Sequence, residues 1–133
     1  ATYVSSFKFA LRSNEPLEQI AGQYTQPKLR VTTDLAWYYD DFQVGLYNRY
    51  LGDHGQDEDF AFFNSQEGAK IPSHNEWDLR VEYSGFPLVT LSVGIENFTN
   101  EEIPLDWFRT EGYDTSFYNN RGRFIYTQAG FRF

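Results

Sequence analysis

The strongest constraint on this chain is a period-two alternation of side chains that returns in six separate stretches. Residues two apart share one face of an extended strand, and the residues between them line the other face. Over 28–39, Leu29, Val31, Thr33, Leu35, Trp37 and Tyr39 fall on one side, against Lys28, Arg30, Thr32, Asp34, Ala36 and Tyr38. Residues 42–51 set Phe42, Val44, Leu46 and Tyr50 against Gln43, Gly45, Tyr47 and Arg49, with Asn48 a polar intruder in the apolar register. Residues 75–84 oppose Trp77, Leu79, Val81 and Tyr83 to Asp78, Arg80 and Glu82. Residues 88–98 oppose Val89, Leu91, Val93 and Ile95 to Thr90, Ser92, Gly94 and Glu96. Residues 125–133 oppose Ile125, Thr127, Ala129, Phe131 and Phe133 to Tyr126, Gln128, Gly130 and Arg132. The run 3–12 alternates as well, with Tyr3, Ser5, Phe7, Phe9 and Leu11 on one side. Helical periodicity is nearly absent. The pattern predicts an all-β, antiparallel chain of six strands, most of them about as long as the roughly 9–11 residues of a tilted membrane strand.

The connections add a second pattern. They run long (13–26), short (around Asp40), long (52–73), short (84–87) and long (99–120). Successive connections of antiparallel hairpins alternate between the two ends of a sheet, so the long loops are expected at one end. Both tight turns and the C-terminus are then expected at the other. The three long loops hold twelve acidic residues and only Lys70 and Arg109 as cations, a net charge of −10 against −8 for the whole chain. The acidity belongs to the loops.

Such a chain is a poor partner for nucleic acid, which calls for clustered Lys and Arg. With no cysteine among 133 residues there is no disulfide framework, thiolate nucleophile or cysteine metal site. No apolar run approaches the roughly 18–20 residues of a membrane helix, and mean hydropathy is −0.59, which alone would suggest a soluble protein. Aromatic residues at 20% do not fit a routine soluble domain. The chain opens at Ala1 without a basic-then-apolar leader, as a mature product or a piece of a longer chain would.

Aromatics cluster near strand ends on the apolar side (Trp37 and Tyr39, Trp77 and Tyr83, Phe131 and Phe133), the placement of an interfacial girdle. The other side carries Arg30, Asp34, Arg49, Asp78, Arg80, Glu82 and Glu96 in mid-strand. Charges cannot face hydrocarbon, where a midplane Arg or Lys costs about 2–4 kcal/mol, but a wet lumen accommodates them. Six strands are fewer than the roughly eight of the smallest bacterial membrane barrels, and an open edge cannot face lipid. The expectation is a barrel segment completed by further strands.

Several motifs resemble the C-terminal part of TonB-dependent outer-membrane receptors. Pro27-Lys28-Leu29-Arg30 is similar to that family's Pro-Lys/Arg-x-Arg at the start of a strand. Trp77-Asp78-Leu79-Arg80-Val81 followed by Tyr83-Ser84-Gly85 resembles its antepenultimate strand and turn. The run from Val93 through Gly94, Ile95, Glu96, Asn97, Phe98 and Thr99 to Asn100, with Ile103-Pro104, is similar to its Val-Gly-x-x-Asn-Leu-Phe-Asp…Pro-Pro motif. Phe98, Thr99 and Asn100 depart from that motif, and one proline is present instead of two. Tyr113-Asp114, Tyr118 and Gly122 to Tyr126 resemble the approach to the last strand, and Phe131 with terminal Phe133 resembles the barrel-assembly signal.

The resemblance implies that the whole chain, 1–133, forms about the last six strands of a 22-stranded transmembrane barrel in a Gram-negative outer membrane. It implies a nutrient transporter energised through TonB, with an iron chelate, cobalamin or glycan as cargo and no enzymatic activity or cofactor. Implied partners are the remaining barrel and plug domain, the TonB complex through an N-terminal part outside this chain, the assembly machinery, lipid and lipopolysaccharide. The rivals are a soluble β-sandwich or clamshell holding carbohydrate or lipid on its aromatics, and a small passive barrel built from several chains.

Catalytic signals are weak. Ser73-His74 offers a hydroxyl beside an imidazole, but adjacency alone is common by chance, and His54 is the only other histidine. No Walker A, dinucleotide or His-Glu-x-x-His motif occurs. Asp53, Asp57 and Asp59, with Glu58, are oxygen donors that could hold calcium, although the run lacks the glycine and closing glutamate of an EF-hand loop. Asn97-Phe98-Thr99 matches the glycosylation sequon by coincidence. Phe60, Phe62, Phe63, Trp107, Phe108, Tyr113, Phe117 and Tyr118 are expected either to pack as a loop core or to offer stacking surface to a ligand. Arg30, Arg49, Asp78, Arg80, Glu82 and Glu96 are expected to face the lumen, most of them in cross-strand ion pairs or against the plug.

Overall fold

The computed structural model describes residues 1–10, 16–19, 21–22, 26–55, 70–106 and 109–133. Ten strands and no helix occur among them. They are β1 (Thr2–Tyr3), β2 (Lys8–Phe9), β3 (Glu18–Gln19), β4 (Leu29–Tyr39), β5 (Phe42–Leu51), β6 (His54–Gly55), β7 (Lys70–Ile71), β8 (His74–Tyr83), β9 (Val89–Glu96) and β10 (Phe124–Phe131). The main sheet has the order β1-β4-β5-β8-β9-β10, and β1 pairs antiparallel with β4, β8 with β9 and β9 with β10. Two two-stranded ladders stand apart from it: β2 pairs with β3 of the first long connection, and β6 with β7 within the second.

Five expected strands are present as continuous elements of the main sheet, and the sixth is not. In place of one run over 3–12, Thr2 and Tyr3 pair with Arg30 and Leu29, and Lys8 and Phe9 pair separately with Gln19 and Glu18. The break has a local cause. The Gln19 side chain accepts a hydrogen bond from the Phe7 amide at 2.7 Å and donates to the Ser5 carbonyl at 3.4 Å. A side-chain amide thus takes the backbone groups that a strand ladder would use.

The chain divides into two compact units. One comprises residues 1–31, 50–74 and 103–119, and so gathers most of the three long connections. The other comprises 32–49, 75–102 and 120–133, and holds the strand bodies, both tight turns and the C-terminus.

Within the strand unit the register agrees with the alternation. Leu79, Ile95 and Ile125 stand abreast, as do Val81, Val93 and Thr127, then Tyr83, Leu91 and Ala129. On the opposite side Arg80, Gly94 and Tyr126 form one row and Glu82, Ser92 and Gln128 the next. Neither side of the described sheet is covered by an apolar core. On the apolar side Leu35, Trp37, Val93 and Ile125 are at 56, 58, 48 and 61% exposure and Val44, Leu46, Leu79, Val81 and Ile95 are half-buried, whereas on the polar side Ser92 is at 5% and Asp34, Tyr38 and Arg80 are exposed. The described buried hydrophobic residues (Ala21, Ile71 and Tyr118) all lie in the loop unit.

Aromatics gather at the turn end of the strand unit. Trp37 and Tyr39 stack with ring centres 5.6 Å apart, and Tyr83 packs on Phe42 at 4.7 Å and on Phe86 at 5.2 Å. Asp40 turns the β4–β5 hairpin with φ of 51°, a left-handed conformation that Asp tolerates better than most residues. The Asp41 carbonyl then accepts hydrogen bonds from the Ser84 amide and hydroxyl, joining the two tight turns.

Candidate functional site

Alternation delivers the charged side chains to one side of the strand unit, where Arg49 pairs across strands, Arg80 pairs along its own strand and Glu96 pairs with a residue ahead of β10. Arg49 bridges to Glu76 and to Asp78 at 3.0 Å, and its guanidinium lies over the Tyr47 ring at 5.1 Å. Arg80 pairs with Glu82 at 2.9 Å, and Glu96 with Arg121 at 2.9 Å. These pairs are partly exposed, so each contributes little to stability, on the order of 0–1 kcal/mol.

A concavity of about 390 Å³ opens among these groups, bounded by Asp34, Tyr38, Tyr47, Asp78, Arg80 and Tyr126, with Gly45 in its lining. Two glycines shape it differently. A methyl group at Gly94 would collide with the Tyr126 ring, so glycine lets that phenol lie against the sheet. A methyl at Gly45 would meet no atom within 4 Å, so there the space is open.

The end of β9 is held by Asn97, which has φ of 48° and is buried. Its side chain accepts from the Glu101 amide at 2.8 Å and donates to the Glu101 carbonyl at 3.0 Å, while its own amide donates to Asp78 at 2.8 Å. The Asn97 side-chain amide of the sequon is thus buried and engaged by the Glu101 backbone. Asn100, also left-handed at φ of 56°, donates its amide to the Asn97 carbonyl and completes the turn.

The loop unit contains a second cluster, of buried polar groups. His54, His74, Asp106, Asp114 and Tyr118 are all buried. The His74 ring meets Tyr118 edge-on at 5.2 Å, His54 meets Phe117 at 6.1 Å, and the Arg30 guanidinium covers the Phe117 ring at 4.4 Å. Burial alone would raise the Asp114 carboxyl, but bonds from the Ser116 hydroxyl and amide and from Arg109 outweigh it and hold the group below its ordinary range. Burial, reinforced by the charges of Asp114 and Asp106, pushes the Tyr118 phenol up to about 12.

Of the residues singled out in the sequence, Asp78, Arg80 and Glu96 come together around the concavity, and Arg49 and Glu82 stand beside it as their ion partners. Arg30 does not join them; it serves the loop unit through Phe117. Tyr118 is buried against His74 and occupies the loop core rather than an open stacking surface, while Tyr113 is half-buried. Phe60, Phe62, Phe63, Trp107 and Phe108 lie outside the described residues. So do Asp57 and Asp59, while Asp53 stands 3.8 Å from Lys70. Among the described residues no three His, Asp or Glu side chains are placed to share a metal ion. Phe131 and Phe133 are exposed, and the Arg132 amide donates to the Leu88 carbonyl.

No family model, curated protein or solved structure matches the chain.

Sequence patterning undervalued Tyr38, Tyr47 and Tyr126, whose phenols share the polar register with the charges and line the concavity. The available signal was aromatic residues in the polar rather than the apolar phase of three strands.

Proposed function

We propose that this chain is a segment of the wall of an outer-membrane β-barrel, the C-terminal six strands of a TonB-dependent transporter that imports a scarce nutrient. The supporting observation is that the described strand unit has no apolar core. Its apolar rows are exposed or half-buried, and its described residues include no buried apolar side chain, while ionic groups pair on the other side. A sheet in water would lose the hydrophobic term that dominates folding if its apolar side were left bare. Facing hydrocarbon, the same side is solvated by lipid and the polar side by a wet lumen. The soluble sandwich requires a covering layer that the described residues do not supply.

Two further features agree. The aromatic cluster of Trp37, Tyr39, Phe42, Tyr83 and Phe86 has the composition of an interfacial girdle. The outer edges of β4 and β10 have no neighbour over most of their length in the described sheet. In a bilayer those backbone groups need further strands. The transporter assignment rests on the resemblance of the Val93–Asn100 motif, whose Gly94 and Asn97 have definite structural tasks here.

The test is purification of the polypeptide that carries this sequence, with sequencing of whatever precedes it. The proposal expects a protein that needs detergent or lipid to stay folded, with a plug domain upstream or supplied by a bound partner. A folded monomer in plain buffer would contradict the membrane reading. A membrane protein lacking a plug in either form would contradict the transporter reading alone.

A further inference from the structure

We propose that the concavity on the polar side of the strand unit binds a small alkylammonium ion. At about 390 Å³ it falls in the range of small-ligand sites, roughly 300–1,000 Å³. Three of its bounding residues are tyrosines, and they differ in what already covers their rings. Tyr47 lies under the Arg49 guanidinium at 5.1 Å, and Tyr126 rests on Gly94 and stacks on Phe124 at 6.2 Å. Tyr38 has neither a ring nor a cation against it among the described residues. The negative face of a phenol attracts a cation, as Tyr47 already does with Arg49. Tyr38 offers the same face unoccupied.

Charge then separates the ligand classes. The Asp34 side chain has no ion pair or hydrogen bond among the described residues. Asp78 shares Arg49 with Glu76, and Glu96 is held by Arg121. Arg80, the one cation in the described lining, is neutralised by Glu82. The pairs therefore leave carboxylate in excess, and an anion is repelled. A neutral ligand seated over Asp34 would strip water from that charge and return no counter-charge. An ammonium returns it. Its N–H groups donate to Asp34 and to the side-chain carbonyl of Gln43, which also has no partner among the described residues. Its carbon chain fits the open space at Gly45, where an added methyl would meet no atom within 4 Å. The net charge of −8 acts in the same sense, since a negative field concentrates cations and does nothing for a neutral solute. The inference does not rest on the transport reading: it uses only the strand unit and holds equally if that sheet faces water.

The polypeptide is titrated calorimetrically in non-ionic detergent at fixed ionic strength with putrescine, and with maltotriose and citrate as the neutral and anionic probes. Saturable binding of putrescine is expected, with none of maltotriose or citrate. Asp34→Asn keeps the shape of an exposed side chain and removes its charge, so it should weaken binding about tenfold or more. Tyr38→Ala, at a second exposed position, should weaken it about threefold or more, so a folding defect in one variant leaves the other to decide. Glu102→Gln removes one charge at an exposed position outside the concavity and should leave binding unchanged. The inference is overturned if putrescine does not saturate, if maltotriose or citrate binds, or if either folded variant of Asp34 or Tyr38 binds as tightly as the parent. It is overturned as well if Glu102→Gln weakens binding as much as Asp34→Asn, because the overall field and not the concavity would then hold the ligand. A detergent requirement is read independently, so the membrane proposal and this one fail separately.

Discussion

Single residues carry the tight constraints in this chain, and Asn97 is the clearest. Its left-handed backbone and two side-chain bonds to Glu101 end β9, so Asn97→Ala should cost about 2–3 kcal/mol, measured by denaturant unfolding in detergent. Asn97→Gly keeps the backbone freedom but loses both bonds, and about 1–2 kcal/mol is expected. Equal losses for the two variants would show that the side-chain bonds alone matter. Tyr118 gives a pH test. Its phenol is raised from 10.0 to about 12, so the folded loop unit favours the protonated form. That contribution is complete below pH 10 and is lost as pH rises toward 12. Tyrosinate absorbance should therefore include one late-titrating group, and Tyr118→Phe should abolish it. Because the hydroxyl has no hydrogen-bond partner among the described residues, the same variant should leave stability unchanged or raise it by up to about 1 kcal/mol.

At the scale of elements, period-two alternation was legible because a strand's two faces are fixed by backbone geometry. Leu79, Ile95 and Ile125 fall abreast for that reason alone. The run 3–12 misled because alternation says nothing about local competition: Gln19, distant in sequence, takes the backbone groups of Ser5 and Phe7. The ionic residues of the polar register were legible, whereas their pairing was not, because Glu76 and Arg121 sit near strand ends where face and loop merge. The loop aromatics were the least legible. Composition cannot distinguish a core ring from a displayed one, and Tyr118 became core because His74 packs on its ring. A charge placed in an apolar row tests the facing directly. Val93 is half exposed, and on a water-facing surface Val93→Arg would change stability by no more than about 0.5 kcal/mol. Facing lipid, it should cost about 2–4 kcal/mol and impair assembly. Denaturant unfolding from lipid vesicles separates the two.

For the whole molecule, the central claim is that the exposed apolar rows of the strand unit meet lipid and the polar rows meet water. The absence of cysteine from the sequence makes this measurable, since one introduced cysteine at a time carries a unique spin label. Labels at Thr90, Leu91, Ser92, Val93 and Ile95, with the protein in lipid vesicles, are read for collision with dissolved oxygen and with a water-soluble paramagnetic reagent. The account predicts Leu91, Val93 and Ile95 accessible to oxygen and shielded from the aqueous reagent, Thr90 the reverse, and buried Ser92 shielded from both. Aqueous access at Leu91, Val93 and Ile95, or a protein that stays folded in buffer without entering the vesicles, would contradict it.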